Sequence, residues 1–219
     1  MNTQPKMLNN SPILYLTLLG LCALMPLWSF GQLSDTTLYD NGQIRSVGNK
    51  NLNGKQGEWL FYYPNGSKNS KENYKDDQLH GIVLHYDNKG RLESKEYWQN
   101  GLPTDSAFYY FPNGQLRRKG IYLEGLYEGE WMVYFENGQL KRTGSYKYGL
   151  PDSLWVNYNE DGVMIEKGYY DQGLQHGFFQ FFDEKGNPTY EGNYENGKEK
   201  GQWFFYSKKG KKKLFETYR

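Results

Sequence analysis

The stretch Gly129-Glu130-Trp131-Met132-Val133-Tyr134-Phe135-Glu136-Asn137-Gly138-Gln139-Leu140-Lys141-Arg142-Thr143-Gly144-Ser145-Tyr146 consists of two short runs flanking Asn-Gly. Both runs have the length of a strand, and Trp, Tyr, Val and Leu suit a pleated, half-buried surface. Asn-Gly between such runs is the strongest short-range hairpin signal, because a primed turn needs φ > 0. The stretch therefore predicts an antiparallel hairpin.

The hairpin recurs along the chain at a constant step of 24 residues, which puts glycine at Gly42, Gly66, Gly90, Gly114, Gly138, Gly162, Gly186 and Gly210. Fixed-period self-similarity is the signature of a repeat architecture. Other columns keep the step. One holds Tyr62, Tyr86, Tyr110, Tyr134, Tyr158, Phe182 and Tyr206; another holds Trp59, Val83, Ala107, Trp131, Trp155, Phe179 and Trp203. A third runs from Tyr74 through Trp98, Tyr122, Tyr146, Tyr170 and Tyr194 to Tyr218. A fourth reads Gly48, Glu72, Glu96, Gly120, Gly144, Gly168, Gly192 and Glu216.

Links such as Asn100-Gly101-Leu102-Pro103 carry turn residues, and no stretch after residue 33 shows a helical period. The fold expected is all-β: an elongated single-layer antiparallel β-meander of tandem 24-residue hairpins over residues 32–219, about 7.5 repeats. Alternation along the second strand puts Leu116, Gly120 and Tyr122 on one face, and Arg117 and Lys119 on the other. A glycine in mid-strand suggests that a neighbouring aromatic lies over bare backbone. The columns of Trp59, Tyr62 and Tyr74 are the candidates to cover it. One unit cannot bury this face alone, so stacked units must share the core.

Gly129-Glu130-Trp131 through Tyr134, then Asn137-Gly138-Gln139-Leu140 and Gly144-Ser145-Tyr146, resemble the MORN repeat, in particular its bacterial, YwqK-type antitoxin-like variant. Gly57-Glu58-Trp59 and Gly201-Gln202-Trp203 repeat the opening. The resemblance covers about residues 38–219. It implies a single-layer sheet that associates with proteins and, in some members, with lipid head groups.

Ahead of the repeats, Ser11–Trp28 is almost wholly apolar and ends in Ser29-Phe30-Gly31, a small-x-small triplet. This is the order of a secretory signal peptide over residues 1–31. Export to the periplasm, outer envelope or medium is expected, with an uncleaved inner-membrane anchor as the alternative. Cys22 is the single cysteine and falls inside this segment, so the mature chain has no disulfide framework. Without Lys6 the cations number 25 against 25 anions. That balance gives no ground for nucleic-acid binding, which needs a basic surface.

No constellation of catalytic residues stands out. His80 and His176 share a column four units apart, and His85 lacks a recurring partner, so no metal site is expected. Asp105-Ser106 and Asp152-Ser153 fall in a column otherwise mostly glycine, where turn chemistry accounts for them. The glycines are spaced rather than clustered, so they form no phosphate loop and imply no cofactor. Lys208, Lys209, Lys211, Lys212 and Lys213 lie at the open end, where lysines discourage edge-to-edge pairing and attract anionic surfaces.

The candidate binding ladder is Tyr62, Tyr86, Tyr110, Tyr134, Tyr158 and Tyr206, since aligned aromatics suit protein partners or sugars. The function expected is a non-enzymatic extracytoplasmic binding scaffold for protein–protein association. Two alternatives stand beside it. One is an envelope-surface binder of anionic lipid or polysaccharide. The other is an antitoxin-like neutraliser, which would act in the cytoplasm.

Overall fold

The computed structural model describes residues 33–219; the expected signal peptide lies outside the described residues. Seventeen strands form one sheet, and no described residue is helical. In chain order the strands are β1 (Leu33–Leu38), β2 (Ile44–Asn51), β3 (Gly54–Tyr62), β4 (Lys68–Lys75), β5 (Gln78–Leu79), β6 (Gly81–Tyr86), β7 (Leu92–Gln99) and β8 (Leu102–Tyr110). They continue with β9 (Leu116–Leu123), β10 (Leu126–Tyr134), β11 (Leu140–Lys147), β12 (Leu150–Tyr158), β13 (Met164–Asp171), β14 (Leu174–Phe182), β15 (Pro188–Glu195), β16 (Lys198–Tyr206) and β17 (Lys212–Tyr218). Each pairs antiparallel with the next, and β5 and β6 together fill one place beside β4. The result is an open meander of one layer.

Two kinds of turn alternate, one along each edge. At the Asn-Gly column only the glycine has positive φ, at 82° for Gly66 and 84° for Gly114. Gly66 N–H donates to the Tyr63 carbonyl, and Tyr63 N–H to the Ser67 carbonyl. This is a type I turn closed by a glycine bulge, which a proline such as Pro64 can enter and a primed turn could not. The primed two-residue turns lie in the links instead: Asn100-Gly101, Glu124-Gly125 and Tyr148-Gly149 have both residues at positive φ.

Both edges are tied from one hairpin to the next. Asn113 Oδ1 accepts from the Gln115 N–H within its own turn, while Asn113 Nδ2 donates to the Glu136 carbonyl of the following turn, 3.1 Å away. Asn137 repeats the reach, to the Glu160 carbonyl. On the opposite edge Gly125 N–H donates to the Pro103 carbonyl and Gly149 N–H to the Tyr127 carbonyl.

Two irregularities per unit set which side chains share a face. One lies beside Tyr110: Tyr109 pairs with Arg118, but Tyr110 pairs with Leu116. The register slip carries Leu116 to the face of Tyr110, opposite to Gly120, contrary to simple alternation. The other lies at the column of Gly129, Asp105 and Ser153, whose φ angles are 60°, 56° and 63°. The chain does not turn there. It continues as one strand with a bulge, and the register slips between Glu128 and Met132.

That bulge sets the next tryptophan over the glycine of the strand before. A Cβ on Gly120 would stand 2.1 Å from Trp131 Cδ2, and one on Gly144 2.1 Å from Trp155 Cδ2. Gly48 lies in the same way under Trp59, Gly168 under Phe179 and Gly192 under Trp203. The indole N–H then reaches a carbonyl one residue beyond the glycine, as Trp131 Nε1 does to Ile121 O at 3.0 Å. Its one polar group is thus satisfied although the ring is buried. Tyrosines fill the gaps: Tyr127 stands edge-on to Trp131 at 4.4 Å and lies 5.0 Å from both Tyr122 and Tyr146, tilted against the first and stacked on the second. Flat-lying rings that cover one another close this face without a second layer.

Candidate binding surface

The tyrosines Tyr62, Tyr86, Tyr110, Tyr134, Tyr158 and Tyr206 lie on the face opposite to the tryptophans, and all are half-buried. Tyr206 donates to Glu191 Oε2 at 2.9 Å, and Glu191 neighbours Gly192, whose other side is covered by Trp203. Tyr134 leans on Met132, its hydroxyl 3.2 Å from the sulfur. The Tyr62 column therefore plays no part in covering the mid-strand glycines. The Trp59 column covers them, and the Tyr74 column packs against the tryptophans, as in the edge-on contact of Tyr74 with Trp59. The eight period-setting glycines sit at the turn edge, with φ from 73° to 87°.

More of this second face is apolar than the tyrosine column alone. Two residues before each tyrosine stand Leu60, Leu84, Phe108, Met132, Val156 and Phe204, half-buried. Further along the same strands Leu154 and Phe178 are exposed, and Tyr169 faces Leu154 across β12 and β13. Tyr169 is 49% accessible. Opposite Leu60, Leu84, Phe108 and Val156 stand Lys71, Lys95, Lys119 and Lys167. Lys71 pairs with Glu58 at 2.5 Å. Among the described residues Lys95, Lys119 and Lys167 form no ion pair, and the Lys95 ammonium lies 5.4 Å from the ring centroid of Tyr97. Along this face run a row of half-buried aromatics and a row of lysines interrupted at Thr143 and Glu191, while the column of Leu154 and Phe178 also holds the exposed Glu58 and Glu130.

The tryptophan face departs from its aromatic pattern between β4 and β8. There Glu72 and Glu96 stand in the glycine column, and Val83 and Ala107 replace the tryptophans. Ser70 Oγ and Tyr74 OH donate to Glu72, at 2.6 and 2.5 Å. Tyr109 OH donates to Glu96, as does Trp98 Nε1 at 3.2 Å. Burial, and then the Glu96 bond, push the Tyr109 phenol up to about 12, against the opposing pull of Tyr122 and Arg118. Burial and Glu72 also raise Tyr74. These are phenols held protonated as donors.

The remaining sequence candidates are dispersed. Ser106 Oγ donates to Asp105 and Ser153 Oγ to Asp152, each to the adjacent carboxylate at a bulge. His80 breaks the strand between β5 and β6, and His176 lies on β14. No group of three or more metal-binding side chains occurs among the described residues. In the lysine cluster Lys212 pairs with the buried Glu191 and lies 4.1 Å over Phe204. Burial pushes Glu191 up, but the bonds from Lys212, Gln180 and Tyr206 outweigh it and hold the carboxyl below its ordinary range. Lys208, Lys209, Lys211 and Lys213 are exposed.

Residues 55–76, 106–124, 127–148 and 175–196 match the family model of the MORN repeat variant. No curated protein matches the sequence. Among solved structures, a chain of the "Crystal Structure of TcdB2-TccC3-Cdc42" is similar at 13% identity and a TM-score of 0.19. That similarity covers 81% of this chain and 13% of the other, so this chain spans a small part of that protein's length. MORN repeats are in general non-enzymatic repeats that bind proteins or membranes.

Proposed function

Because the chain carries MORN-variant repeats, we propose that it is a non-enzymatic scaffold that binds a protein partner through the face of Tyr62, Leu154 and Tyr169. The observation that carries this reading is an asymmetry of the single sheet. One face is closed by its own aromatics, with Trp59 at 2% and Phe179 at 0% accessibility, while the other leaves Leu154, Tyr169 and Phe178 in water beside lysines without ion pairs. An apolar surface rimmed by charge gains most by meeting a complementary protein surface. The cations favour an acidic partner and would speed its encounter. The segment 1–31 reads as an export signal, which supports an encounter outside the cytoplasm and speaks against a cytoplasmic neutraliser.

The experiment is crosslinking of the tagged mature chain in native envelopes, beside a triple variant Leu154→Glu, Tyr169→Glu and Phe178→Glu. A protein crosslinked to the parent and lost from the folded variant is the expected result. Equal recovery with both would remove this face from the binding reaction. A second reading, attachment to anionic lipid or polysaccharide, draws on the exposed Lys208, Lys209, Lys211 and Lys213. It requires salt-sensitive co-sedimentation with anionic vesicles that is lost when these four become Gln.

A further inference from the structure

At the first complete hairpin, the slot over the tryptophan holds a cation. Lys55 Nζ lies 5.1 Å from the ring centroid of Trp59, 5.0 Å from that of Phe61 and 4.5 Å from that of Tyr74. Trp59 and Phe61 are stacked at 27° and Tyr74 stands at 73° to Trp59, so three rings make a floor and a wall around the ammonium. In the later units the same column holds Leu79, Pro103, Tyr127, Pro151, Gln175 and Glu199, none of them cationic. Where Tyr127 fills the slot, ring packs on ring.

The lysine is an incomplete occupant. An ammonium has three donors, and the one hydrogen bond Lys55 Nζ makes among the described residues is to Tyr74 OH, at 3.4 Å. A quaternary ammonium carries the same charge, has no N–H to satisfy, and covers more of each ring. Nor does the backbone depend on the side chain. Lys55 N–H donates to Asp77 Oδ1 and Asp77 N–H donates to the Lys55 carbonyl, so the strand stays anchored when the side chain swings out. The cage opens on a cavity of about 440 Å³ lined by Asp35, Arg45, Lys50 and Asp77, among others. Lys50 is paired with Asp35 at 3.0 Å, whereas Arg45 makes no ion pair among the described residues and can seat an anion.

We propose that Trp59, Phe61 and Tyr74 form a binding cage for a quaternary ammonium group, closed in the free protein by Lys55 as an exchangeable plug, with Arg45 favouring a ligand that also carries a phosphate, as phosphocholine does. This site lies on the tryptophan face and is independent of the protein-binding face. Removing the plug therefore strengthens binding, the reverse of what a lysine acting as a direct ligand contact would give.

The test is titration of the full mature chain and of Lys55→Ala with phosphocholine, choline and 3,3-dimethylbutanol, the uncharged shape mimic of choline. The readout is the indole N–H resonance of Trp59, and the other tryptophan indole signals report whether the fold is intact. Lys55→Gln serves if Lys55→Ala does not fold. The expected result is saturable binding of phosphocholine, at least tenfold tighter in the variant, weaker for choline and absent for the neutral mimic. Phe61→Leu in the unplugged background should lose most of it. No saturable shift in a folded unplugged variant, or equal binding of the neutral mimic, overturns the proposal. Phosphatidylcholine vesicles then separate a lipid headgroup from a free solute: co-sedimentation that phosphocholine competes away assigns the headgroup, and its absence assigns the soluble ligand.

Discussion

The stretch from Glu72 to Ala107 and the stretch from Gly120 to Trp203 have the same backbone course and fill the same face in two ways. In the later stretch glycine lies beneath an aromatic from the next strand, as in Gly120 with Trp131, Gly144 with Trp155, Gly168 with Phe179 and Gly192 with Trp203. In the earlier stretch Glu72 and Glu96 take the glycine column, and Val83 and Ala107 take the aromatic column. The two columns change together because they compete for one volume. An indole flat on the sheet leaves no room for a Cβ beneath it, and a small residue leaves a space that a carboxylate and its donors fill. One solution gains by burying apolar rings, the other by hydrogen bonds to two carboxylates. The second is more exposed to error, because half a network costs more than none.

Substitutions in either column distinguish the two solutions. The largest effect should come from Trp155→Ala, which removes a buried ring and its bond to the Ser145 carbonyl. Urea unfolding should register a loss of about 3–5 kcal/mol. A loss below about 1 kcal/mol would mean that neighbouring tyrosines refill the space. Gly144→Val attacks the same pair from beneath and should cost about 1–3 kcal/mol, because the indole must leave its place. Hydrogen exchange should show the loosening centred on β11 and β12.

The sharpest test exchanges one solution for the other. Ala107→Trp alone should destabilise, since Glu96 occupies the space the indole needs. Adding Glu96→Gly should recover much of the loss, with a favourable coupling of about 1 kcal/mol or more in a double-mutant cycle. Additivity would show that the two columns are independent.

The smallest effect is one of pH. Folded Tyr109 ionises at about 12, above its ordinary 10.0, because burial and Glu96 disfavour the phenolate. The folded state therefore binds that proton more tightly than the unfolded one. The resulting stability is fully present below pH 10 and is lost as pH rises through about 12. Absorbance of the phenolate during alkaline titration checks this, and Glu96→Gln should move the Tyr109 midpoint downward.

Much of this was legible in the residues. The step of 24, the pairing of strands into hairpins, and the aromatic lying over glycine all follow from which columns hold Gly, Trp and Tyr. Even the coupled exceptions carried a signal: Glu72 and Glu96 precede Val83 and Ala107 by the same interval that separates Gly120 from Trp131. Leu116 shows what alternation by itself misplaces. A bulge leaves no mark in composition, and one extra residue moves a side chain to the other face. The Asn-Gly pairs pointed to a primed turn, whereas a type I turn stands there, with Pro64 and Pro112 at its second position, where a fixed negative φ fits. The rows of Leu154, Tyr169 and Phe178 became a surface only when register placed them beside one another.

The sequence alone determined the repeat, the hairpin and the all-β class, because these depend on local propensity and on spacing along one chain. Tertiary structure decided which face closes and which stays open, and that Lys55 sits among three rings. Those outcomes depend on two bulges per unit and on contacts between strands, where a shift of one residue exchanges inside for outside.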